Sequence, residues 1–382
     1  MSDRVRGVAV LGSTGSIGRS TLAVLDRHRE RFRVVALTAH RNAELLEEQA
    51  RAWRGASPRL FTGCVEGGAG HGPACLLEAA THPDADVVLN AVVGAAGLEA
   101  TLAALRAGKR VALANKESLV TAGELVLAAA RAGGGELVPV DSEHSAVLQC
   151  LAGQDAGLER LARLVLTASG GPFRTWDAVR IRAATVGEAL NHPTWRMGAK
   201  ITVDSATLVN KALEVIEAHH LFGVGYDGID VVVHPQSIVH ALVEFVDGSV
   251  LAQLGFPSME LPILFALTHP DRLPDQGVRR FDPVAAGPLT FEPVRADVFR
   301  AFGVGVAAGR AGGTAPAVFN AANEVAVAAF LDGGMPFGQI ADVIERVVDA
   351  HANHPADAVE AVLQADAWAR ARAREAVGAL IP

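Results

Sequence analysis

A short apolar segment that runs into three evenly spaced glycines constrains the fold of this chain more than any other feature. Val5–Leu11 is predicted to be a buried strand. It is followed at once by Gly12-Ser-Thr-Gly15-Ser-Ile-Gly18 and then by a helical pattern. In this context glycines allow a tight turn and a close approach of the backbone to a dinucleotide pyrophosphate, which binds at the helix N-terminus. The spacing differs from the usual G-x-G-x-x-G, and an ordinary glycine-rich turn is the alternative.

The end of the next predicted strand, Phe32–Thr38, bears on the choice of cofactor. Enzymes that use NAD usually carry an acid there, which binds the ribose 2′-hydroxyl. In this chain the first acid is Glu44, and Arg41 precedes it. Because a guanidinium suits a 2′-phosphate, the sequence favours NADP over NAD. An exposed arginine at the start of a helix is the alternative.

The alternation of strands and helices continues through the first 150 residues. The further segments are strands at Asp86–Asn90, Arg110–Ala114 and Leu137–Val140, with helices at Leu98–Ala107 and Ala122–Ala132. Alternation of this kind predicts an α/β fold with a doubly wound parallel sheet. Functional residues in such sheets gather just beyond the carboxyl ends of the strands.

Two polar clusters lie at that position, Asn115-Lys116-Glu117-Ser118 and Asp141-Ser142-Glu143-His144. Asp141 and Glu143 are two residues apart on a segment predicted to be extended, so both carboxylates should face the same side. Oxygen ligands of this type suit a divalent cation. A solvated loop or a helix cap is the alternative.

The stretch His192–Glu217 contains a third cluster. A helix is predicted to begin at Asp204 or Ser205, since both residue types cap free N–H groups. On that helix the side chains of Asn210, Lys211 and Glu214 share one face near the N-terminus, where an anion is favoured. A surface helix with a single Lys–Glu pair is the alternative.

The rest of the second half indicates a change of domain. A buried run, Leu164–Thr167, ends in a small-residue turn at 168–172 that could wrap an anion. Ile238–Phe245 and Ser249–Leu254 are predicted to form a hairpin. The expected organisation is a nucleotide-binding domain at 1–150, a catalytic domain at 151–267 with a lid near 192–198, a linker at 268–294 and a helical domain at 295–382.

Charge and cysteine content limit the partners and the compartment. The net charge of −8 is spread along the chain without basic runs, which argues against nucleic acid or an anionic membrane surface as a partner. No apolar run approaches the length needed to cross a membrane, and the N-terminus lacks a signal-peptide layout. Cys64, Cys75 and Cys150 have neither disulfide nor metal spacing, so a cytoplasmic location is expected.

Taken together, the motifs closely resemble the 1-deoxy-D-xylulose 5-phosphate reductoisomerase family of the non-mevalonate isoprenoid pathway, over essentially the whole chain. The matching stretches are Gly12-Ser-Thr-Gly-Ser-Ile-Gly18, Asn115-Lys-Glu-Ser-Leu-Val120, Val140-Asp-Ser-Glu-His-Ser145, Ala168-Ser-Gly-Gly-Pro-Phe173, His192-Pro-Thr-Trp-Arg-Met-Gly198, Val203-Asp-Ser-Ala-Thr207, Asn210-Lys211 with Glu214, His234-Pro-Gln-Ser237 and Asn320-Ala-Ala-Asn-Glu-Val325.

The resemblance implies an NADP-binding domain, an α+β catalytic domain and a C-terminal helical bundle, assembled as a homodimer. It implies NADPH and one divalent cation (Mg²⁺, Mn²⁺ or Co²⁺) as cofactors. The implied reaction is the rearrangement and reduction of 1-deoxy-D-xylulose 5-phosphate, a small phosphorylated sugar, to 2-C-methyl-D-erythritol 4-phosphate.

The resemblance also implies roles for individual residues. The implied metal ligands are Asp141, Glu143 and Glu214. The implied phosphate ligands are Ser169, Ser205, Asn210 and Lys211. Lys116, Ser142 and His192 are implied to contact the rest of the substrate, and Trp195 is implied to lie in a lid that covers it. The residues implied in catalysis are Lys116, Glu143, His192, Trp195 and Glu214. The implied cofactor contacts are Gly12, Thr14, Gly15, Ser16, Ile17, Arg41, Asn42, Asn115, Glu117 and Gly198.

Two departures from the family pattern carry expectations of their own. His40-Arg41-Asn42 stands where many members carry Gly-Lys-Asn, which alters the expected contact to the 2′-phosphate. Phe302-Gly-Val-Gly-Val306 is rich in glycine, so the first helix of the C-terminal bundle is expected to begin late or to be loose.

Two other functions remain open from the residues alone. One is an NADP-linked dehydrogenase that acts on a small phosphorylated or amino-acid-derived substrate without a metal. The other is a pyridine-nucleotide sensor without turnover. Metal-dependent oxidation of NADPH would distinguish the reductoisomerase from both.

Overall fold

The computed structural model describes residues 4–57, 59–66, 72–152 and 160–379. Its strands, in chain order, are β1 (Arg6–Leu11), β2 (Phe32–Ala39), β3 (Phe61–Cys64), β4 (Val87–Asn90), β5 (Arg110–Leu113), β6 (Glu136–Pro139), β7 (Leu161–Ala168), β8 (Ile229–Val233), β9 (Val239–Phe245), β10 (Val250–Leu254) and β11 (Glu292–Pro293).

The helices connect these strands and make up most of the C-terminal part. In chain order they are α1 (Ser16–Arg27), α2 (Ala43–Trp53), α3 (Ala74–Ala80), α4 (Leu98–Arg106), α5 (Lys116–Gly133), α6 (Ser142–Leu151), α7 (Ala178–Arg182), α8 (Val186–Leu190), α9 (Ala199–Thr207), α10 (Val209–Phe222), α11 (Glu260–Thr268), α12 (Pro283–Ala286), α13 (Arg300–Ala311), α14 (Ala315–Leu331), α15 (Gln339–Asp349) and α16 (Val359–Gly378).

The chain divides into two compact units, the first of which contains residues 1–118, 126–152 and 258–280. Within the described part of this unit, a six-stranded sheet has the order β3-β2-β1-β4-β5-β6, with every pairing parallel. The predicted doubly wound parallel sheet is therefore confirmed. The sequence analysis did not identify β3, α2 or α3, and the helix predicted from Ala122 begins at Lys116.

The strand order places a topological switch point at the carboxyl end of β1. The order reverses there, because β1 lies between β2 and β4 and the chain winds outward in both directions. Ligands of open α/β sheets bind at such a switch point. The strands are buried on both faces, with Val8, Val10, Val34 and Leu89 in one apolar core, as expected of a parallel sheet covered by helices.

Helix α11 also belongs to the first unit, although it lies far along the chain. Ile263, Leu264 and Leu267 join the same apolar core. Near its C-terminus, the carbonyl oxygen of Leu267 accepts hydrogen bonds from the guanidinium groups of Arg6 (3.1 Å) and Arg110 (3.3 Å). These bonds satisfy a carbonyl that the helix itself leaves without a partner.

The second unit contains residues 119–125, 153–257 and 281–382. Its described strands form a mixed sheet in the order β10-β9-β7-β8-β11, in which β7 and β8 are parallel. The predicted hairpin is confirmed, since β9 and β10 pair antiparallel. The domain boundaries expected from the sequence stay a prediction.

The first helix of the C-terminal bundle corrects one expectation. Helix α13 is regular despite its glycines. A Cβ at Gly305 would come within 2.6 Å of the Ala212 Cβ, so this glycine allows close packing and does not loosen the helix. Helix α14 begins at Ala315, so the family-matching stretch from Asn320 to Val325 lies inside it. Phe319 and Phe330 of α14 are fully or almost fully buried in the apolar core of this unit.

Candidate functional site

The glycine turn after β1 has the backbone geometry that the motif predicts. Gly12 has a φ of +80°, and a Cβ there would lie 2.7 Å from the carbonyl oxygen of Ala91. A Cβ at Gly18 would lie 2.3 Å from the carbonyl oxygen of Gly12. Helix α1 begins directly after Gly15, and among the described residues no side chain caps it. Its first N–H groups are therefore available to an anion.

Gln49 holds this turn in place, and the sequence analysis did not find it. The Ser13 hydroxyl donates to Gln49 Oε1 at 2.7 Å, and Gln49 Nε2 donates to the Ser13 carbonyl at 3.0 Å. The amide N–H of Gly12 donates to Thr38 Oγ1 at 3.2 Å. Gln49 lies on α2, 36 residues from its partner, so no local pattern indicates the contact.

Arg41 and Asn42 follow β2 as predicted, and the structure adds an acid beside them. Arg41 Nε donates to Glu66 Oε2 at 2.6 Å, and His40 Nε2 lies 3.1 Å from Glu66 Oε1. The hydrogen bond that Arg41 donates to Glu66 lowers the pKa of the Glu66 carboxyl below its usual value and raises the pKa of Arg41. Asn42 caps α2, because its Oδ1 accepts from the N–H of Leu45 at 3.0 Å.

Asn115 is buried and acts as the cap of α5. Its Oδ1 accepts from the N–H of Ser118 at 3.1 Å, while its Nδ2 donates to the carbonyls of Val92 and Gly94, each at 2.8 Å. Nδ2 also donates to Glu117 Oε2 at 3.0 Å. The side chain thus ties the start of α5 to the loop that follows β4.

The segment that carries Asp141 and Glu143 differs from the prediction. Strand β6 ends at Pro139, Asp141 occupies the cap position of α6, and Glu143 lies in the first helical turn. The premise of an extended segment was therefore wrong, and the shared direction of the two carboxylates cannot be argued from strand alternation. Lys116 Nζ donates to Asp141 Oδ2 at 2.6 Å, and Ser142 Oγ donates to Glu143.

The helix of the second unit that carries the third cluster also begins elsewhere than predicted. Asp204 and Ser205 lie inside α9, and the chain then breaks at Leu208, which has a φ of +60°. Helix α10 follows from Val209. Leucine is a strong helix former, and a left-handed residue costs about 1–2 kcal/mol, so only packing explains the break. Leu208 is 3% exposed within the apolar core.

The predicted face of α10 is confirmed. Asn210 Nδ2 and Lys211 Nζ both donate to the Glu214 carboxylate. Lys211 is 3% exposed and Glu214 is 1% exposed, so the alternative of an exposed surface pair was wrong. Two charges this deeply buried are stable only as a pair with further hydrogen bonds.

The turn after β7 lies against α9. Gly170 and Gly171 have φ values of +83° and +67°. A Cβ at Gly171 would lie 2.7 Å from the carbonyl oxygen of Ser205, so the turn that carries Ser169 packs on the backbone beside Ser205. The Ser205 carbonyl accepts from the N–H of Leu208 at 3.2 Å. Two of the predicted phosphate ligands, Ser169 and Ser205, thus occupy neighbouring segments.

His192 has a defined tautomer in this arrangement. Its Nδ1 accepts from the backbone N–H groups of Thr194 (3.1 Å) and Trp195 (2.9 Å). The ring proton of the neutral imidazole therefore lies on Nε2, which donates to Ser169 Oγ across 2.9 Å. Burial lowers the pKa of His192 to about 4, so the neutral form prevails near neutral pH.

The predicted lid residues lie between α8 and α9. Trp195 contacts the ring of His240 edge to face, with the ring centroids 6.3 Å apart. Gly198 precedes α9, and its carbonyl accepts from the N–H (3.1 Å) and the hydroxyl (2.8 Å) of Thr202. In the same helix, the buried carboxylate of Asp204 accepts from Asn323 at 2.8 Å and pairs with Lys200 at 3.0 Å.

Within each unit the structure therefore brings predicted site residues together. In the first unit these are Lys116 with Asp141 and Ser142 with Glu143. In the second unit they are Ser169 with His192, and Asn210 and Lys211 with Glu214. Across residues 4–57, 59–66, 72–152 and 160–379, no helix has the length and apolar character needed to cross a membrane.

Comparisons with known proteins point to one family along the whole chain. A model described as 1-deoxy-D-xylulose 5-phosphate reductoisomerase matches residues 8–60 and 65–123. Models of the C-terminal domain of that enzyme match residues 137–222 and 254–372. The reductoisomerase of Cupriavidus necator is 50% identical over 389 residues, which cover 98% of each protein.

Solved structures agree with this result. The reductoisomerase from Zymomonas mobilis in complex with NADPH is 40% identical and covers 99% of this chain and 100% of its own, with a TM-score of 0.87. A DOX-P reductoisomerase in complex with NADPH, fosmidomycin and magnesium is 38% identical, with a TM-score of 0.89 and coverage of 98% and 99%.

Proposed function

The chain belongs to the 1-deoxy-D-xylulose 5-phosphate reductoisomerase family, and from this premise we propose which of its residues bind the cofactor, the cation and the substrate. The protein is an NADPH- and divalent-metal-dependent oxidoreductase of isoprenoid precursor biosynthesis. It converts 1-deoxy-D-xylulose 5-phosphate to 2-C-methyl-D-erythritol 4-phosphate. Family membership over nearly the full length, covering both units, is the observation that carries this conclusion.

The residues of the first unit fit a dinucleotide. Helix α1 presents an uncapped N-terminus behind a turn in which Gly12 and Gly18 leave no room for a Cβ. We assign the pyrophosphate to this turn, through Gly12, Thr14, Gly15, Ser16 and Ile17. Further along the nucleotide we assign Arg41 and Asn42 to the 2′-phosphate, and Asn115, Glu117 and Gly198 to the ribose and nicotinamide.

The residues proposed for the cation fit a hard divalent ion. Asp141, Glu143 and Glu214 supply only carboxylate oxygens, which is the donor set that Mg²⁺, Mn²⁺ and Co²⁺ all accept. Two of the carboxylates already have cationic neighbours, Lys116 at Asp141 and Lys211 at Glu214. These lysines pair with the two acids and orient them.

When bound, NADPH supplies the hydride, and the divalent cation supplies Lewis-acid stabilisation of the charge that develops in the rearrangement. The chain positions the substrate for both. We propose that Lys116 and Ser142 contact the substrate oxygens from the first turns of α5 and α6. His192 would contact the substrate as a hydrogen-bond donor through its Nε2–H. Trp195 and the segment 192–198 would close over the substrate and exclude water from the reacting atoms.

The phosphate of the substrate is assigned to the second unit. The small-residue turn carries Ser169 against the segment of Ser205, and Asn210 and Lys211 follow the break at Leu208. The ammonium of Lys211 has three N–H donors, so it can hold Glu214 and a phosphate oxygen together. Binding energy from this remote group would drive closure and positioning.

The test is a spectrophotometric assay of NADPH oxidation with the pentulose phosphate. We expect oxidation that a chelator abolishes and that Mg²⁺ or Mn²⁺ restores. Oxidation that persists in chelator would support a metal-free dehydrogenase instead. Binding of NADPH without turnover would support a nucleotide sensor.

We further propose that the protein is a homodimer. Strand β10 lies at the edge of the described sheet, and three apolar side chains there are exposed: Val246 in the hairpin turn (66%), and Val250 (49%) and Leu251 (39%) in β10. An exposed apolar edge favours pairing with a second copy. Light scattering coupled to size-exclusion chromatography tests this assignment, and a monomeric mass would contradict it.

A cytoplasmic location and the three-domain organisation are also proposals. Cys64, Cys75 and Cys150 are free and buried, and free cysteines suit a reducing compartment. For the domains at 1–150, 151–267 and 295–382, limited proteolysis should cleave first in the linker at 268–294. Early cleavage elsewhere would argue against these boundaries.

A further inference from the structure

An acid does lie beside Arg41 at the end of β2, but it comes from the segment that follows β3. Glu66 lies two residues beyond β3, and its carboxylate contacts Arg41 Nε at 2.6 Å and His40 Nε2 at 3.1 Å. In the parallel sheet, β3 pairs with β2, and Ala39 is opposite Cys64. The ends of these two strands therefore meet, which places an acid beside the guanidinium that follows β2.

Building on the NADPH assignment above, we propose that Glu66 is a specificity-determining residue that weakens the preference for NADPH over NADH. It does so by holding Arg41 and by placing a negative charge beside the 2′-phosphate position. The same carboxylate can accept a hydrogen bond from a ribose 2′-hydroxyl, which is what an acid does in NAD enzymes. The two nucleotides thus meet an Arg–Glu pair rather than an arginine alone.

The charges around this position determine the sign of the effect. Arg41 is 74% exposed and Glu66 is 52% exposed, so solvent and salt screen the pair. A 2′-phosphate must share the guanidinium with Glu66, and the two anions repel each other. NADH brings no phosphate charge to this position, so the carboxylate costs it nothing.

The decisive experiment measures equilibrium binding rather than turnover. NADPH and NADH are titrated against the whole protein by nucleotide fluorescence at low ionic strength, for the wild type and for E66Q. We expect E66Q to bind NADPH about two- to fivefold more tightly and NADH no more tightly. The ratio of the Kd for NADH to the Kd for NADPH should therefore rise. The gain should shrink at high salt.

A matched control is available on α2. Glu47 is an exposed acid paired with Arg54 at 2.7 Å, so E47Q removes the same charge from a similar pair. We expect E47Q to leave the ratio of the Kd values unchanged. In an R41A background the effect of E66Q should become smaller, because Glu66 acts in part by holding Arg41.

The outcomes separate this inference from the proposed function. A wild-type protein that binds neither nucleotide would contradict the proposed function itself. Normal NADPH binding with an unchanged or lower ratio in E66Q would overturn only the role of Glu66. A lower ratio would show that Glu66 orients Arg41 toward the phosphate rather than competing with it.

Discussion

The imidazole of His192 and the hydroxyl of Ser169 lie 2.9 Å apart, with Nε2 as the donor. Because Nδ1 accepts two backbone N–H groups, a protonated ring would direct its second N–H against donors. The hydrogen bonds and the burial therefore favour the same neutral form. This arrangement joins a proposed lid residue to a proposed phosphate ligand.

The first prediction concerns the protonation of His192. Its pKa is lowered to about 4 by burial, so nitrogen NMR of ring-labelled protein should show the Nε2–H tautomer throughout the neutral range. Its pKa in the folded state is below the ordinary value of 6.5. The unfolded chain thus binds this proton more readily, and the associated stability is lost as the pH falls from 6.5 toward 4. The resonance is assigned by its loss in His192→Gln, and a titration near pH 6.5 would refute the assignment.

The second prediction concerns the cation. Glu214→Gln removes a charge at nearly constant volume, so turnover should fall by at least about a hundredfold, and binding of Mn²⁺ measured by paramagnetic resonance should weaken. The change also removes the carboxylate that pairs with the buried Lys211, so folding must be verified by circular dichroism.

Helix α14 provides the matched control for that experiment. Glu324 accepts from Asn320, four residues earlier, at 2.9 Å and pairs with Arg370 at 2.6 Å, much as Glu214 is held by Asn210 and Lys211. Glu324→Gln should lower stability but leave Mn²⁺ binding intact. Near-normal activity of a folded Glu214→Gln protein would rule out Glu214 as a ligand.

The third prediction concerns the 2′-phosphate. Arg41→Ala should raise the KM for NADPH about five- to tenfold and leave that for NADH nearly unchanged, because only NADPH carries the group that a guanidinium binds. Arg54→Ala, another exposed ion-pair arginine near α2, serves as the control. An equal rise of both KM values in Arg41→Ala would show that Arg41 does not select NADPH.

The fourth prediction concerns Gln49, which forms two hydrogen bonds with Ser13 in the glycine turn. Gln49→Leu removes both hydrogen bonds to Ser13 and leaves the 2′-phosphate position unchanged. Binding of NADPH and NADH should therefore weaken by similar factors of about three to ten. A change confined to NADPH would place the effect at Arg41 instead.

The parts of the site that the sequence predicted correctly depend on local chemistry. The glycine turn could be predicted because Gly12 and Gly18 tolerate contacts that any side chain would prevent. The common face of Asn210, Lys211 and Glu214 follows from helical spacing alone. The parallel strands could be predicted because buried apolar runs alternate with helical patterns.

The parts that it missed depend on tertiary contacts. Leu208 breaks a helix that its own propensity would continue, and Glu66 and Gln49 reach their partners across 25 and 36 residues. Residues 258–280 return to the first unit, a return that no local pattern signals. The extended reading of Asp141 and Glu143 failed because strand β6 ends two residues before Asp141.

The last prediction concerns Lys211 and the substrate phosphate. A charge-assisted contact in a partly closed site is worth about 1.5–3 kcal/mol, so Lys211→Ala should weaken binding of the phosphorylated substrate at least about tenfold. If the contact also drives closure, kcat should fall as well. Stability should drop too, because the change removes the ammonium that pairs with the buried Glu214 carboxylate.

A comparison of two substrates separates these effects. The dephosphorylated analogue makes no phosphate contact, so a purely structural defect in Lys211→Ala would reduce the activity on both substrates by the same factor. A role at the phosphate would reduce mainly the activity on the phosphorylated sugar. Lys200→Ala is the control, since it removes a second lysine that pairs with an acid, Asp204, and should affect both substrates alike. An equal loss in Lys211→Ala would therefore exclude the phosphate role and leave Lys211 as the counter-charge of Glu214.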